Sequence, residues 1–477
     1  MELKTQANQS TEGSLKRSMG LWMATALVLG NMLGSGVFLL PASIAGVLQT
    51  HGWSALLGWV FTGLGATLLA LVFANLGRAF PRTGGPYAYA RRGLGEFVGF
   101  WTAWGYWIAV WAGNAAIAVA FVGYLAVFWP ALGSNGALAA VVAAGAIWLL
   151  TFVNILGAEQ GGVVQVVTTV LKFVPLAIIG VIGLFFIKSE NFGSFAPHGL
   201  GMGDGALGGI TAAATLTLWA FIGLESATVP AEEVKDPERT IPRSTIIGTL
   251  AAAIVYIITT VAIVGVIPTD ALANSTSPFA DAAGAIFGGN WNKVVAVVAM
   301  VATFGALNGW ILLQGRVPLA AAKDGLFPKP FARVDRRRGT PVFGLVVSSV
   351  LITGLMLMNY SKALVDQFTF VILLATLTTL IPYVFSAVSE VMLFITDPER
   401  FSGRNLVRDT AVAVLAFAYS VWAIVGAGYD IIARGFVLLL LGMPVYVYLK
   451  WRQRRAEPDL RGEAALAGRA KETVDDH

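Results

Sequence analysis

Twelve apolar stretches, each long enough to cross a bilayer as a helix, follow one another between Leu21 and Tyr448, and they leave few folds open to this chain. A hydrocarbon core about 30 Å thick takes about 20 helical residues to span. The stretches lie at roughly 21–48, 54–80, 96–130, 136–157, 163–187, 207–231, 243–267, 283–322, 341–359, 364–395, 409–428 and 431–449. Backbone polar groups find no water inside lipid, and no alternating pattern indicates barrel strands, so an all-α integral membrane bundle follows. Composition agrees: of 477 residues 56% are hydrophobic and 12% charged, too apolar for soluble domains of this length. The first stretch outruns the apolar core of a signal peptide and is read as a retained helix.

The basic residues divide unevenly between the connections. Arg78, Arg82, Arg91 and Arg92 lie between spans two and three; Lys235, Arg239 and Arg243 between six and seven; Lys323, Lys329, Arg333, Arg336, Arg337 and Arg338 between eight and nine; Arg400, Arg404 and Arg408 between ten and eleven. The odd-numbered connections hold Lys188, Lys293, Lys362 and Arg434. The bias predicts that the even-numbered connections and both termini are cytoplasmic, in a bacterial inner membrane. Charge spread over separate loops is a topology signal and makes no basic face for nucleic acid.

The chain has no cysteine, and its histidines, His51, His198 and His477, lie outside the spans. Thiolate metal sites and disulfides are excluded, and neither a metal nor another cofactor is expected. Residues 1–18 and 452–477 lack an apolar face and read as cytoplasmic tails around one transporter domain, 19–451.

Two glycine interruptions fall near mid-membrane: Gly34-Ser35-Gly36 in the first span and Ile222-Gly223 in the sixth. A helix that unwinds there frees amides and carbonyls for a substrate or an ion. Breaks at corresponding places in two halves are the pattern of five-plus-five inverted-repeat transporters, although glycines also serve plain helix packing.

Charges inside the spans are costly and therefore point to function. Glu225 follows the second break and reads either as a gating or proton-binding acid or as a static hydrogen-bond anchor. Lys172 sits about nine residues into the fifth span, roughly 13 Å at 1.5 Å per residue, at the limit of a lysine's reach to the interface. It either snorkels or holds an ammonium against the carbonyls of the unwound first span, in place of a sodium ion. Arg316 and Glu390, nearer span ends, read as interfacial. In the third span Trp101, Trp104, Tyr106, Trp107 and Trp111 precede Asn114; Tyr106 and Asn114 share one helical face, as do Trp107 and Trp111. Such faces suit a guanidinium or ammonium group, as would the mid-span Trp219 and Trp310.

Several segments occur in an order that identifies a resemblance. They are Gly30 to Pro41, Tyr87-Ala88-Tyr89-Ala90-Arg91-Arg92, Tyr106-Trp107 through Gly113-Asn114, Leu218 to Ala227, Glu233 to Arg239, Gly309-Trp310, Asp324-Gly325-Leu326-Phe327-Pro328 and Pro382-Tyr383. Over about residues 20–450 the chain resembles the amino acid–polyamine–organocation superfamily and, within it, the basic amino acid/polyamine antiporters of the arginine/agmatine kind. The resemblance implies a leucine-transporter-like fold with broken helices 1 and 6. Asn31, Met32, Ser35 and Gly36 would meet the substrate's carboxylate and α-amino groups. Trp219 would stack on the side chain as a middle gate, Ile222 would line the pocket, Ala109 and Asn114 would meet the distal cation, and Trp310 would pack on the aliphatic stem. Tyr106, Glu225 and Tyr383 match an outer gate. The partners implied are a small amino acid or amine and the lipid bilayer, with pairing as a homodimer left open.

The chain departs from the arginine/agmatine exchangers at Ala375, Val110 and Ile117, where they carry serine, cysteine and methionine, and at Lys172. The expected activity is exchange of a basic amino acid for its decarboxylated amine. The alternative is a proton-coupled symporter or exchanger of neutral or broad-range amino acids. A membrane enzyme would need convergent catalytic groups at one interface, which the sequence lacks.

Overall fold

The computed structural model describes residues 19–48, 52–82, 84–156, 162–192, 206–335, 338, 340–359, 364–401 and 405–455. The expected tails lie outside them, except that 452–455 continue the twelfth helix, so the helical unit ends beyond the expected boundary at 451. His51, His198 and His477 also lie outside.

The described residues form an all-helical bundle. Eleven helices are long and apolar enough to span a membrane, and a shorter one, Val342–Asn359, stands between the eighth and tenth as the ninth span. The unbroken neighbours of the site are the second span, Gly52–Ala79, the third, Glu96–Leu125, the seventh, Pro237–Val266, the eighth, Trp291–Lys323, and the tenth, Leu364–Thr396. The eighth was expected to begin at 283. It begins at Trp291 because Gly288 and Gly289 both take positive φ and end a separate short helix, Pro278–Phe287. Phe279 of that helix packs edge-on against Phe38, which itself meets Tyr124.

The first and sixth spans are broken as the glycines predict. The first runs as Leu21–Met32, pauses at Leu33 and Gly34, and resumes as Ser35–Leu48. The sixth runs as Ala206–Leu218, tightens into a 3₁₀ turn at Trp219–Phe221, and opens at Ile222 into extended backbone. Gly223 then takes φ +112°, which an L side chain rarely adopts. A Cβ at Gly36 would stand 3.0 Å from both Cα and Cβ of Ala220, so glycine lets the broken segments touch. The Asn31 amide donates to Ser226 Oγ at 2.8 Å, and Tyr256 of the seventh span donates to the Ala220 carbonyl at 3.0 Å.

At the Arg-rich end, two of the quoted segments meet across more than two hundred residues. Tyr87 Oη donates to Asp324 Oδ2 at 2.7 Å, and Arg91 pairs with the same carboxylate at 2.8 Å. Burial, with that carboxylate alongside, pushes the Tyr87 hydroxyl far above its ordinary range, so it remains a donor. Arg92 pairs with Asp397 while lying over the Phe80 ring. Glu390, six residues from the end of the tenth span, is fully buried between helices and accepts from Asn75 Nδ2 at 2.6 Å. Arg316 lies on the bundle's surface.

Candidate functional site

Where the two breaks face each other, a partly open cavity lies between the helices. Its walls are Asn31, Met32, Gly34, Ser35 and Gly36 of the first span, Tyr106, Ala109, Val110, Gly113 and Ile117 of the third, Trp219 and Ile222 of the sixth, Trp310 of the eighth and Thr379 of the tenth. No wall side chain carries a charge. The third-span residues recur at three- and four-residue intervals because one helical face is presented. Ser35 opens the second half of the first span, so a helix amino terminus, the positive end of its dipole, faces the cavity beside the carboxyl end of Leu21–Met32.

The Trp219 indole crosses the chamber. Its Nε1 donates to Ser35 Oγ at 3.4 Å. A Cβ on Gly36 would come within 3.2 Å of its Cδ1, and one on Gly113 within 2.7 Å of its Cη2. The ring is thus seated between two glycines, one on each facing helix.

Beyond Trp219, Glu225 is fully buried. Tyr106 Oη donates to its Oε1 at 2.7 Å, Tyr383 Oη to its Oε2 at 2.6 Å, and the Gly223 amide to the same Oε2 at 3.1 Å. The positive φ at Gly223 aims that amide back toward the carboxylate. Three spans are tied by one side chain. The resemblance implies an outer gate for this trio. Tyr106 belongs to the part of the third span that follows the 2–3 connection, Glu225 lies between Trp219 and the 6–7 connection, and Tyr383 stands toward the 10–11 connection, so all three sit between the cavity and the Arg-rich end.

Of the nine residues expected to bind substrate, Asn31, Met32, Ser35, Gly36, Ala109, Trp219, Ile222 and Trp310 stand in the cavity wall, and Tyr106 joins them. Asn114 stands just behind it, donating to Gln314 Oε1 at 2.8 Å. The remaining third-span tryptophans are elsewhere. Trp107 donates to Ser348 Oγ at 2.9 Å and packs on Phe327, which also meets Trp104. Lys172 is 5% exposed, so it does not snorkel; it extends toward the eighth span, its Cε 3.9 Å from where a Gly305 Cβ would be. Among the described residues it has no carboxylate within ion-pair range. Thr379 and Gln314 carry no sequence signal of their own, yet each stands one helical turn from a residue singled out, Tyr383 and Trp310.

The model of the amino acid permease family matches residues 19–444. The chain belongs to this family. Within the amino acid–polyamine–organocation superfamily, the permease falls among the basic amino acid/polyamine antiporters. It is 36% identical over 464 residues to a Bacillus subtilis (strain 168) protein assigned as an arginine/ornithine antiporter, covering 91% of this chain and 97% of the relative. It is 34% identical over 442 residues to the cadaverine/lysine antiporter of Escherichia coli (strain K12), covering 91% and 95%. With the putrescine transporter of Haemophilus influenzae it shares 31% over 435 residues, covering 91% and 97%. The crystal structure of a manganese transporter from Eremococcus coleocola superposes with TM-score 0.60 at 11% identity, over 94% of the permease and 99% of that chain, a likeness of fold. The permease is a multi-pass membrane transporter and not an enzyme.

Proposed function

We propose that the permease exchanges a basic amino acid for its decarboxylated amine by alternating access through this cavity, with arginine and agmatine as the pair to test first. The observation that carries the reading is the wall itself: a broken-helix terminus, aromatic rings and no charged side chain. Ser35, Gly36 and the helix amino terminus suit a substrate carboxylate. The carboxyl end of Leu21–Met32, with Asn31 and Met32, suits the α-amino group. Trp219 and Trp310 offer ring faces to the aliphatic stem and the delocalised cation, with Ala109, Ile222 and Asn114 completing the far end. An amine without a carboxylate fits the same aromatic side, which is what exchange of an amino acid for its amine requires. The relatives are named for arginine and ornithine, for cadaverine and lysine, and for putrescine, which are basic amino acids and amines.

With the Arg-rich connections facing the bacterial cytoplasm, the Tyr106–Glu225–Tyr383 trio is an inner gate: the tyrosines hold Glu225 across the exit, and a change of its proton or of the nearby cation releases them. Lys172 favours a second reading, proton-coupled uptake of a broader amino acid set, since a buried ammonium with no described counter-charge can stand in for a coupling ion. Reconstituted protein separates the two: exchange needs substrate inside the vesicle, and symport needs only an acidic exterior.

A further inference from the structure

Behind the far wall of the cavity, hydrogen bonding fixes the orientation of two amides. Gln314 Nε2 donates to the Leu345 carbonyl at 3.2 Å and to Ser349 Oγ at 2.9 Å. A main-chain carbonyl can only accept, so the end of Gln314 facing Leu345 is its NH₂ group. Its other end is therefore the oxygen, which requires Asn114 to present its own NH₂ there, and that contact is 2.8 Å long. Nothing is left to choose for Asn114: its Oδ1 is turned away from Gln314, and it is buried with no hydrogen-bond partner among the described residues. Asn114 adjoins Gly113 and stands one turn from Val110 and from Ile117, all in the cavity wall, while Gln314 stands one turn beyond Trp310.

We propose that Gln314 is a positioning residue that locks the Asn114 amide with its oxygen free for the substrate, so that the far end of the cavity selects a donor-bearing cationic side chain over an acceptor-bearing neutral one. The proposal rests on the reading of the cavity as the substrate site. An asparagine amide that can turn over offers donor or acceptor at similar cost and discriminates little. Held one way by a main-chain carbonyl two contacts distant, it meets an acceptor-only ligand with oxygen against oxygen, and a site built to bond one kind of group rejects the other.

The test is equilibrium binding to detergent-purified full-length protein, followed by tryptophan fluorescence, with three ligands of similar length: lysine, which only donates at its end; methionine sulfoxide, which only accepts; and norleucine, which does neither. In the wild type lysine binds most tightly. In Gln314→Leu the ratio of the methionine sulfoxide Kd to the lysine Kd falls about tenfold, chiefly because methionine sulfoxide binds better, while norleucine is unchanged. Ser349→Ala leaves the Leu345 carbonyl in place and keeps the wild-type ratio. Asn114→Ala, which reports even if Gln314→Leu does not fold, weakens lysine about tenfold and spares norleucine. The lock is overturned if Gln314→Leu moves all three ligands alike, if Ser349→Ala behaves as Gln314→Leu does, if Asn114→Ala leaves lysine unmoved, or if the wild type binds methionine sulfoxide as well as lysine. If the wild type binds none of the three, the lock is overturned, and the reading of the cavity fails with it only if arginine is not bound either.

Discussion

Tyr383 donates to Oε2 of Glu225 at 2.6 Å, joining the tenth span to the broken sixth across 158 residues of chain. Tyr106 closes on the opposite oxygen from the third span. A fully buried carboxylate is tolerated here because each oxygen has a donor. The arrangement should open when one donor or the charge is withdrawn. Glu225→Gln should flatten the pH dependence of transport, and either Tyr106→Phe, which removes the donor to Oε1, or Tyr383→Phe, which leaves Oε2 only the Gly223 amide, should destabilise the closed state by about 1–3 kcal/mol. Transport rates across a pH series check the first and melting temperatures the second. An unchanged pH profile in Glu225→Gln would remove the acid from the gating role.

Lys172 should separate stability from function. A buried ammonium with no described counter-charge is costly, so Lys172→Met, of similar length and apolar, should stabilise the fold by about 1–4 kcal/mol, seen as a raised Tm. The same variant should lose transport, since the charge between the fifth and eighth spans is gone. A variant that is stabler and fully active would reduce Lys172 to a tolerated buried residue.

Much of this architecture is legible in the chain. Span count and the two breaks follow from apolar length and from glycines at mid-membrane, and most of the cavity wall from the family resemblance. The Gly288–Gly289 stop was hidden because apolar residues continue across it, and apolar length does not register positive φ. The burial of Glu390 was hidden because position along a helix says nothing of which face Asn75 covers. That Glu225 lies toward the Arg-rich end follows only once the third span is set against the oppositely running sixth and tenth. Gln314 was invisible for a simpler reason: a glutamine in an apolar helix acquires meaning from the carbonyl it meets, here that of Leu345.

Gly113 should not tolerate a methyl group. Its Cβ would enter the van der Waals shell of the Trp219 ring at 2.7 Å, and overpacking of that kind costs about 1–3 kcal/mol. Gly113→Ala should push the indole toward the cavity and lower substrate affinity about tenfold or more, whereas alanine at Gly133, whose Cβ would meet nothing within 4 Å, should leave transport unchanged. Substrate Kd for the two variants provides the check.

Asp281, on the short helix Pro278–Phe287, accepts from Ser275 Oγ. Burial holds its carboxyl above the ordinary range, and the Ser275 and Ser277 hydroxyls offset that in part. The folded value thus lies above the unfolded one of about 4, so the favourable contribution is present below that pH and lost as pH rises through the folded value. Asp281→Asn should raise Tm at neutral pH and leave it nearly unchanged at acid pH. Equal shifts at both would contradict this.

The most direct test of the central claim is arginine uptake into proteoliposomes preloaded with arginine, with agmatine, with a neutral amino acid or with nothing, each with and without an acidic exterior. Exchange of a basic amino acid for its amine predicts rapid uptake with internal arginine or agmatine and almost none into empty vesicles at either pH. Accumulation in empty vesicles driven by an acidic exterior, or exchange confined to neutral amino acids, would contradict it.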